Sequence, residues 1–348
     1  MAALPFPILF ITASRIGDAV LASGLVRRLH DEIPGARFTI VGSELTAPLF
    51  IDTPCLDDLI IMEKRPAGAH WLSLWNRARR KRWGLVVDLR GSAMADILRP
   101  KRRAVHRRAA EGGEHKVVEA ARLLKLEDDP PAPYLYVGAQ SEARAEEITA
   151  GQGPILALAP AANWIGKTWP AERFALVARQ LLGEEGPLAG GRLMVLGGPE
   201  DHAAVEPVRA AVGRGRLIDL TGAEELIVIY AALKRARLFI GNDSGLMHLA
   251  AAAGAPTLGL FGPSDEARYA PWGEKARTLR GVRSFEQMQI ADPSFSQVIC
   301  HMMDLQSSAV MAAARSLIAD TEPPEAANEG VEADTPAPAA SQPENADG

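Results

Sequence analysis

The sequence predicts an α/β protein made of two doubly wound domains of similar size that face each other across a cleft. Short, continuous apolar runs alternate with amphipathic stretches along most of the chain. A glycine-rich break, residues 151–154, interrupts this alternation near the middle. The length of 348 residues and the hydrophobic content of 47% are sufficient for two cores.

The apolar runs predict ten strands, and helical stretches lie between most of them. Continuous apolar strands alternating with helices are typical of parallel sheets covered on both faces. The break after a polar helix at 141–150 divides a domain of residues 1–150 from one of residues 151–320. Ligands are expected at the carboxyl ends of the strands. The predicted strands are 8–12, 37–41, 59–62, 85–89, 104–106, 155–159, 193–196, 217–220, 238–240 and 257–261.

The C-terminal segment 321–348 predicts a disordered, acidic tail. It has seven acidic residues, no Lys or Arg and no aromatic residue, and it is rich in Pro, Ala and Glu. The net charge of −5 is therefore misleading, since residues 1–320 contain 36 of the 43 acidic residues against all 38 basic ones.

Several classes of protein are disfavoured by composition. No run of about 18 apolar residues predicts a membrane-spanning helix. The N-terminal apolar run has no basic region before it and is interpreted as a first strand, not as a signal peptide. Cys55 and Cys300 show no paired spacing, so neither a disulfide framework nor a metal site is expected, and we predict a cytoplasmic protein.

Basic residues cluster in two parts of the first domain. We expect the first cluster to lie on one helix and to attract an anionic partner, such as a phosphorylated lipid or the inner face of a membrane. The alternative is a solvated surface. No nucleic-acid partner is expected, because no aromatic residues interleave as in a stacking platform. The clusters are Arg77, Arg79, Arg80, Lys81 and Arg82, then Arg99, Lys101, Arg102, Arg103, Arg107 and Arg108.

Residues 237–265 carry the most informative pattern. An apolar strand is followed at once by Asn242-Asp243-Ser244-Gly245, an Ala-rich helix at 246–253 and a second apolar strand. A helix that starts directly after a strand presents unpaired N–H groups to a ligand above the sheet, and small residues allow close approach. The pattern predicts a phosphate site with Asp243 near a sugar. The alternative is an ordinary crossover in which Asp243 or Ser244 caps the helix.

Three further loops follow predicted strands. Asp18 starts a helix at 19–31 and could accept a proton from a hydroxyl, or could simply be an N-cap. Lys167 could contact a phosphate or face solvent, and Glu200 could bind ribose hydroxyls or complement the helix dipole. Neither a G-x-G-x-x-G nor a Walker motif occurs, which argues against a dehydrogenase.

Together these loops resemble the heptosyltransferase family of glycosyltransferases. The resemblance runs from about residue 8 to 280 and is weak across residues 60–135. The matching stretches are R-I-G-D (15–18), G-K-T-W-P (166–170), G-G-P-E-D (197–201), D-L-T-G (219–222), G-N-D-S-G-L-M-H-L-A (241–250) and F-G-P-S-D (261–265).

The resemblance implies the GT-B architecture, with two Rossmann-like domains, the acceptor on residues 1–150 and the nucleotide sugar on residues 151–320. It implies metal-independent inverting transfer of heptose from ADP-heptose to a lipid-linked glycan, the inner core of lipopolysaccharide, with no cofactor; no D-x-D motif is present. Asp18 would be the general base. The donor would be bound by Lys167, Thr168, Glu200, Asp243, Ser244, Gly245, Leu246, Met247 and His248.

Two features depart from the family pattern, the segment at 266–273 and the acidic tail. Two other functions are compatible with the same architecture. A nucleotide-sugar epimerase would need further catalytic acids, which the sequence does not reveal. A non-catalytic relic that only binds nucleotide sugar is disfavoured by the presence of both Asp18 and Lys167.

Overall fold

The computed structural model describes residues 4–63, 66–107 and 113–322. The first half contains a five-stranded, all-parallel sheet of order β3-β2-β1-β4-β5. Its strands are β1 (Phe6–Ile11), β2 (Ala36–Gly42), β3 (Leu56–Ile61), β4 (Leu85–Asp88) and β5 (Arg102–Val105). Its helices are α1 (Ile16–Leu21), α2 (Gly24–Glu32), α3 (Ala69–Ala78), α4 (Met94–Ile97), α5 (Lys116–Arg122) and α6 (Ala139–Thr149).

The second half contains a six-stranded parallel sheet of order β11-β10-β9-β6-β7-β8. Its strands are β6 (Ile155–Ala159), β7 (Arg192–Gly197), β8 (Leu217–Thr221), β9 (Ala236–Asn242), β10 (Thr257–Phe261) and β11 (Ala276–Arg280). Its helices are α7 (Ala171–Leu182), α8 (His202–Arg209), α9 (Leu226–Leu233), α10 (Gly245–Ala252), α11 (Glu266–Tyr269), α12 (Phe285–Ala291) and α13 (Ser307–Asp320).

The prediction of two doubly wound α/β domains is confirmed, and all ten predicted strands are present. The sequence missed β11, an edge strand whose residues are only half-buried or exposed and so lack an apolar run. The acidic tail lies outside the described residues after residue 322. Among the described residues, no helix is both long enough and apolar enough to cross a bilayer.

The predicted helix at 19–31 is wrong in its bounds, because two helices occupy this stretch. The break lies at Ser23, whose hydroxyl donates to the carbonyl of Val20 and accepts the N–H of Tyr134. Gly24 begins α2 against the backbone of a neighbouring segment, and a Cβ there would lie 2.3 Å from the carbonyl oxygen of Ala132. The break therefore ends the first helix early, so Asp18 lies in a short helix that begins at Ile16.

The basic cluster at 77–82 does not lie on one helix. Only Arg77 belongs to α3, and the indole N–H of Trp83 donates to the carbonyl of Ala78, the last helical residue. Arg77 and Lys81 instead pair with Asp58 and Asp57 of β3. Four of the five basic residues thus follow the helix end, and two of the five charges are neutralised locally.

Both halves share one hydrophobic core cluster. Helix α9 is buried from Ile227 to Leu233, and the hydroxyl of its Tyr230 accepts the N–H of Leu135 from the first half. Phe10 and Phe50 of the first half belong to the same cluster as Leu249 of α10. The contact holds the carboxyl ends of β1 and β9 against the same cleft.

Candidate active site

The cleft contains a cavity of about 770 Å³. Residues from both halves form its wall, and most follow the carboxyl end of a strand, where ligands of parallel α/β folds bind. The lining comprises Ser14, Arg15, Ile16, Gly17, Asp18 and Leu45 of the first half, and Asn163, Lys167, Asp243, Ser244, Gly245, His248, Pro263, Ser264, Asp265, Arg268, Tyr269, Phe285 and Phe295 of the second.

Helix α10 points its N-terminus at this cavity. Ser244 occupies the N-cap position with extended backbone, but its hydroxyl makes no capping hydrogen bond and is buried without a partner among the described residues. The first N–H groups of an α-helix have no intrahelical acceptor, and they carry partial positive charge. The N-terminus of α10 is therefore suited to bind an anion.

The end of β9 is fixed by a buried amide. Asn242 accepts the backbone N–H of Trp169 at 3.1 Å and donates to the carbonyl of Pro160 at 2.7 Å. These two bonds tie the loop after β6 to the loop after β9. Lys167 is consequently held beside Asp243, with 2.6 Å between its Nζ and the carboxylate Oδ2.

The pair of Lys167 and Asp243 is unequal in exposure. Asp243 is 6% exposed, whereas the lysine side chain is 28% exposed at the cavity wall. A cation on a flexible stem that reaches into the cavity can move towards a phosphate. The buried carboxylate holds the ammonium group of Lys167 at the cavity wall.

His248 lies one turn into α10 and is buried. Burial lowers its pKa to about 4, although Asp243, 3.9 Å from its Nε2, opposes that effect. The imidazole is therefore neutral at pH 7. Its Nδ1 is buried without a hydrogen-bond partner among the described residues, so the ring has a hydrogen-bonding capacity that the protein leaves unused.

Asp18 faces the cavity from the opposite half. It is the third residue of α1, and Arg15 occupies the N-cap position, so the alternative in which Asp18 caps the helix is wrong. Its carboxylate makes no hydrogen bond or ion pair with the part of the chain that the structure describes. Burial raises its pKa, and Lys116 and Arg15 only partly offset this effect. A free carboxylate of raised pKa is suited to accept a proton.

Helices α1 and α10 cross at two glycines, which bring the helix of Asp18 against the N-terminal part of α10. A Cβ on Gly17 would lie 2.9 Å from Cδ2 of His248. A Cβ on Gly245 would lie 2.8 Å from Cβ and Cγ2 of Ile16. Any larger residue at either position would push the two helices apart.

The structure brings some of the predicted residues together and leaves others out. Asp18, Lys167, Asp243, Ser244, Gly245 and His248 line one cavity. The hydroxyl of Thr168 donates instead to the carbonyl of Trp164, and Glu200 is exposed after β7, outside the cavity lining. Leu246 and Met247 pack into the core, so only their backbone N–H groups could serve a ligand.

Sequence reasoning missed several residues that line the cavity. Ser264 lies in the turn after β10, and its hydroxyl is buried without a partner among the described residues. The Gly-Pro-Ser-Asp motif could have indicated this residue. Phe285 and Phe295 approach from a segment beyond β11, and Arg268 comes from α11. No local sequence pattern marks these three residues.

The second basic cluster lies partly beside this site. Arg103 and Arg107 line a separate cavity of about 340 Å³ in the first half, and Arg103 pairs with Asp96. Arg108 lies outside the described residues. No group of three or more His, Cys, Asp or Glu side chains that could hold a metal ion occurs within the described ranges.

The chain has two parallel α/β domains with a charged cavity in the cleft between them. A helix N-terminus forms one wall of the cavity, and a free carboxylate lies on the other. This arrangement defines an enzyme of the Rossmann-like, two-domain class. The model of glycosyltransferase family 9 (heptosyltransferase) matches residues 71–293, and the chain belongs to this family. It is thus a glycosyltransferase.

Relatives and solved structures agree with this assignment. The chain is 25% identical over 327 residues to lipopolysaccharide heptosyltransferase 2 of Salmonella typhimurium, covering 82% of this chain and 91% of the relative. The Escherichia coli ADP-heptose heptosyltransferase II superimposes with a TM-score of 0.73 at 21% identity, over 90% of this chain and 99% of the other. A family 9 glycosyltransferase of Veillonella parvula gives the same TM-score and identity over 92% and 99%. The predicted GT-B fold is confirmed.

Proposed function

We propose that this protein is an inverting lipopolysaccharide heptosyltransferase that transfers heptose from ADP-heptose to the inner core of a lipid-linked glycan. One observation carries the proposal most: the free carboxylate of Asp18 faces the same cavity as Lys167 and the N-terminus of α10. The heptose and the acceptor follow the names of the relatives, which are lipopolysaccharide heptosyltransferases 2 and 3. The ADP-heptose donor follows the name of the Escherichia coli structure, an ADP-heptose heptosyltransferase II.

The proposed mechanism needs one base and one anion site. Asp18 accepts the proton of the acceptor hydroxyl as that oxygen attacks the anomeric carbon of the donor. The bond from this carbon to the diphosphate breaks on the opposite face, so the configuration inverts. The diphosphate leaves as an anion and needs no proton from an acid, so a single carboxylate is enough. The retained Asp18 base disfavours the non-catalytic relic.

The leaving diphosphate gains charge as that bond breaks. Lys167 and the N–H groups of Gly245, Leu246 and Met247 face this charge, so they stabilise the transition state more than the ground state. Loss of one well-aimed donor of this kind typically costs about 3 kcal/mol in the barrier. Asp243 and the neutral His248 would contact the sugar, and Glu200 the ribose if its loop closes on the donor.

The remaining parts of the proposal concern location and domain roles. Residues 1–150 bind the acceptor, residues 151–320 bind the donor, and the enzyme works in the cytoplasm at the inner face of the membrane. The basic residues near β5 support a peripheral contact with anionic lipid, since a basic residue near such a surface contributes about 1 kcal/mol.

The test is the melting temperature of the purified protein with a panel of nucleotide sugars. A ligand at 100 times its Kd adds about 2.7 kcal/mol to the free energy of unfolding, which corresponds to several degrees. ADP-heptose should give the largest shift, and Lys167→Ala should reduce it. A larger response to a uridine nucleotide sugar would overturn the donor assignment, and no response to any nucleotide would overturn the proposed function.

A further inference from the structure

The segment at 266–273, which departs from the family pattern, forms a bridge between the two halves. Its residues contact α5 and the residue before it. Arg268 donates to Glu119 Oε2 at 2.9 Å, and the carbonyl of Ala270 accepts a hydrogen bond from Nε2 of His115 at 2.9 Å. The ring of Trp272 lies 4.8 Å from the ring of His115. The departure from the family pattern thus coincides with a contact across the cleft.

Glu119 is the centre of this contact. Its carboxylate accepts hydrogen bonds from Lys116 at 2.8 and 2.9 Å, from Arg268 at 2.9 Å and from Nε2 of His106 at 2.7 Å. The side chain is 12% exposed. Burial alone would raise the pKa of Glu119, but the bonds from Lys116 and His106 outweigh it and hold the pKa below its ordinary value. The carboxylate is therefore charged at neutral pH.

The partners of Glu119 lie on two sides of the reaction centre. Arg268 belongs to the second half and lines the cavity. Lys116 belongs to the first half and is the cation with the strongest effect on Asp18. Glu119 also lines the smaller cavity beside β5, so its pair with Arg268 stands between the two cavities.

We propose that Glu119 is a positioning residue for transfer: by binding Lys116 and Arg268 at once, it holds the two halves together across the cleft and so keeps Asp18 opposite the donor site. It touches no reacting atom itself. The kinetic consequences of this inference rest on the proposed function. The effect of Glu119 on the pKa of Asp18 does not rest on it.

The electrostatic consequence has a definite sign. The negative charge of Glu119 raises the pKa of Asp18, whereas Lys116 lowers it. Replacing Glu119 by Gln removes the first effect and frees the ammonium group of Lys116 to approach Asp18. Both changes lower the pKa of the base. The titratable and charged groups that act on Asp18 or lie beside it are Arg15, Lys116, Glu119, Asp243, His115 and His248, and burial keeps both histidines neutral at pH 7.

The chain offers a matched control. Glu142 of α6 pairs with Arg235 at 2.8 Å, again joining the first half to the second, but neither residue lines either cavity. Glu142→Gln therefore removes a cross-half ion pair of similar length away from the reaction centre. An effect that appears only in Glu119→Gln is therefore caused by the position of Glu119 beside the cavity.

The experiment compares wild type, Glu119→Gln, Arg268→Gln, the double variant and Glu142→Gln. Acceptor-dependent release of ADP is followed against pH, and the carboxyl of Asp18 is titrated by ¹³C NMR with selectively labelled aspartate. We expect Glu119→Gln to lower kcat about tenfold, with the acid limb of kcat/KM and the titration of Asp18 both moved to lower pH. The double variant should lose no more than the worse single variant, and Arg268→Lys should recover part of the activity lost in Arg268→Gln.

Three results would overturn the inference. These are an unchanged titration of Asp18 in Glu119→Gln, additive losses in the double variant, or the same kinetic loss in Glu142→Gln. The NMR titration needs no turnover, so it decides the inference even if wild type transfers no heptose. Wild type without transfer would refute the proposed function alone.

Discussion

The crossing of α1 and α10 predicts a large effect from a single methyl group, Gly245→Ala. A Cβ there would lie 2.8 Å from Cβ and Cγ2 of Ile16 and 3.3 Å from the backbone nitrogen of Gly17. Non-bonded carbons prefer about 3.5–4.0 Å, so α1 must move away by about 1 Å. Asp18 lies on the same short helix and would move with it.

The size of the effect follows from that displacement. A 1 Å misplacement of reacting groups costs about 100-fold in rate, which corresponds to about 2.7 kcal/mol in the barrier. Overpacking of a close contact costs about 1–3 kcal/mol in stability. We therefore expect kcat to fall about 100-fold while the protein still folds.

The assay is acceptor-dependent ADP release at saturating donor, together with the melting temperature. Gly213→Ala is the matched control, because nothing lies within 4 Å of a Cβ at that position and its backbone conformation suits alanine. It should have nearly normal kcat. A Gly245→Ala variant with nearly normal kcat would refute the argument that the glycine crossing positions the base.

Three other variants probe individual groups of the site. Asp18→Asn should abolish transfer and leave ADP affinity, measured by calorimetry, nearly unchanged, because the amide keeps the shape but cannot accept a proton; near-normal kcat would exclude Asp18 as the base. Ser264→Ala should weaken ADP-heptose binding about fivefold, since its buried hydroxyl has no partner among the described residues and lines the cavity; unchanged affinity would show that this hydroxyl stays unused. His248→Gln should flatten the pH dependence of stability. The folded pKa of His248 is about 4 against 6.5 when unfolded, so wild type loses about 3 kcal/mol of stability as pH falls from 6.5 to 4; parallel curves for the two proteins would contradict its burial in the neutral form.

The sequence predicted the strands well because buried parallel strands are continuous apolar runs. The run at 155–159 coincides with β6. In contrast, β11 at the sheet edge has polar residues facing solvent and no such run. The break between α1 and α2 depends on Ser23 and Gly24 contacting a segment more than 100 residues away, which no local pattern could reveal.

The same distinction applies to the candidate site. Residues in the loops or first helical turns after strands, such as Asp18, Lys167 and Asp243, were predicted because parallel strands bring their carboxyl ends together. Phe295 and Arg268 reach the cavity from segments whose path depends on packing. Thr168 stays a prediction: it is beside Lys167 in sequence, but its hydroxyl donates to the carbonyl of Trp164.

The most direct test of the account measures transfer itself. Purified wild type and Asp18→Asn are incubated with ADP-heptose and a heptose-deficient lipopolysaccharide acceptor, and the mass of the acceptor and the anomeric configuration of the product are determined. The account predicts addition of one heptose with inverted configuration by wild type and none by the variant, although both bind ADP. Transfer by both proteins, or a product with retained configuration, would contradict it.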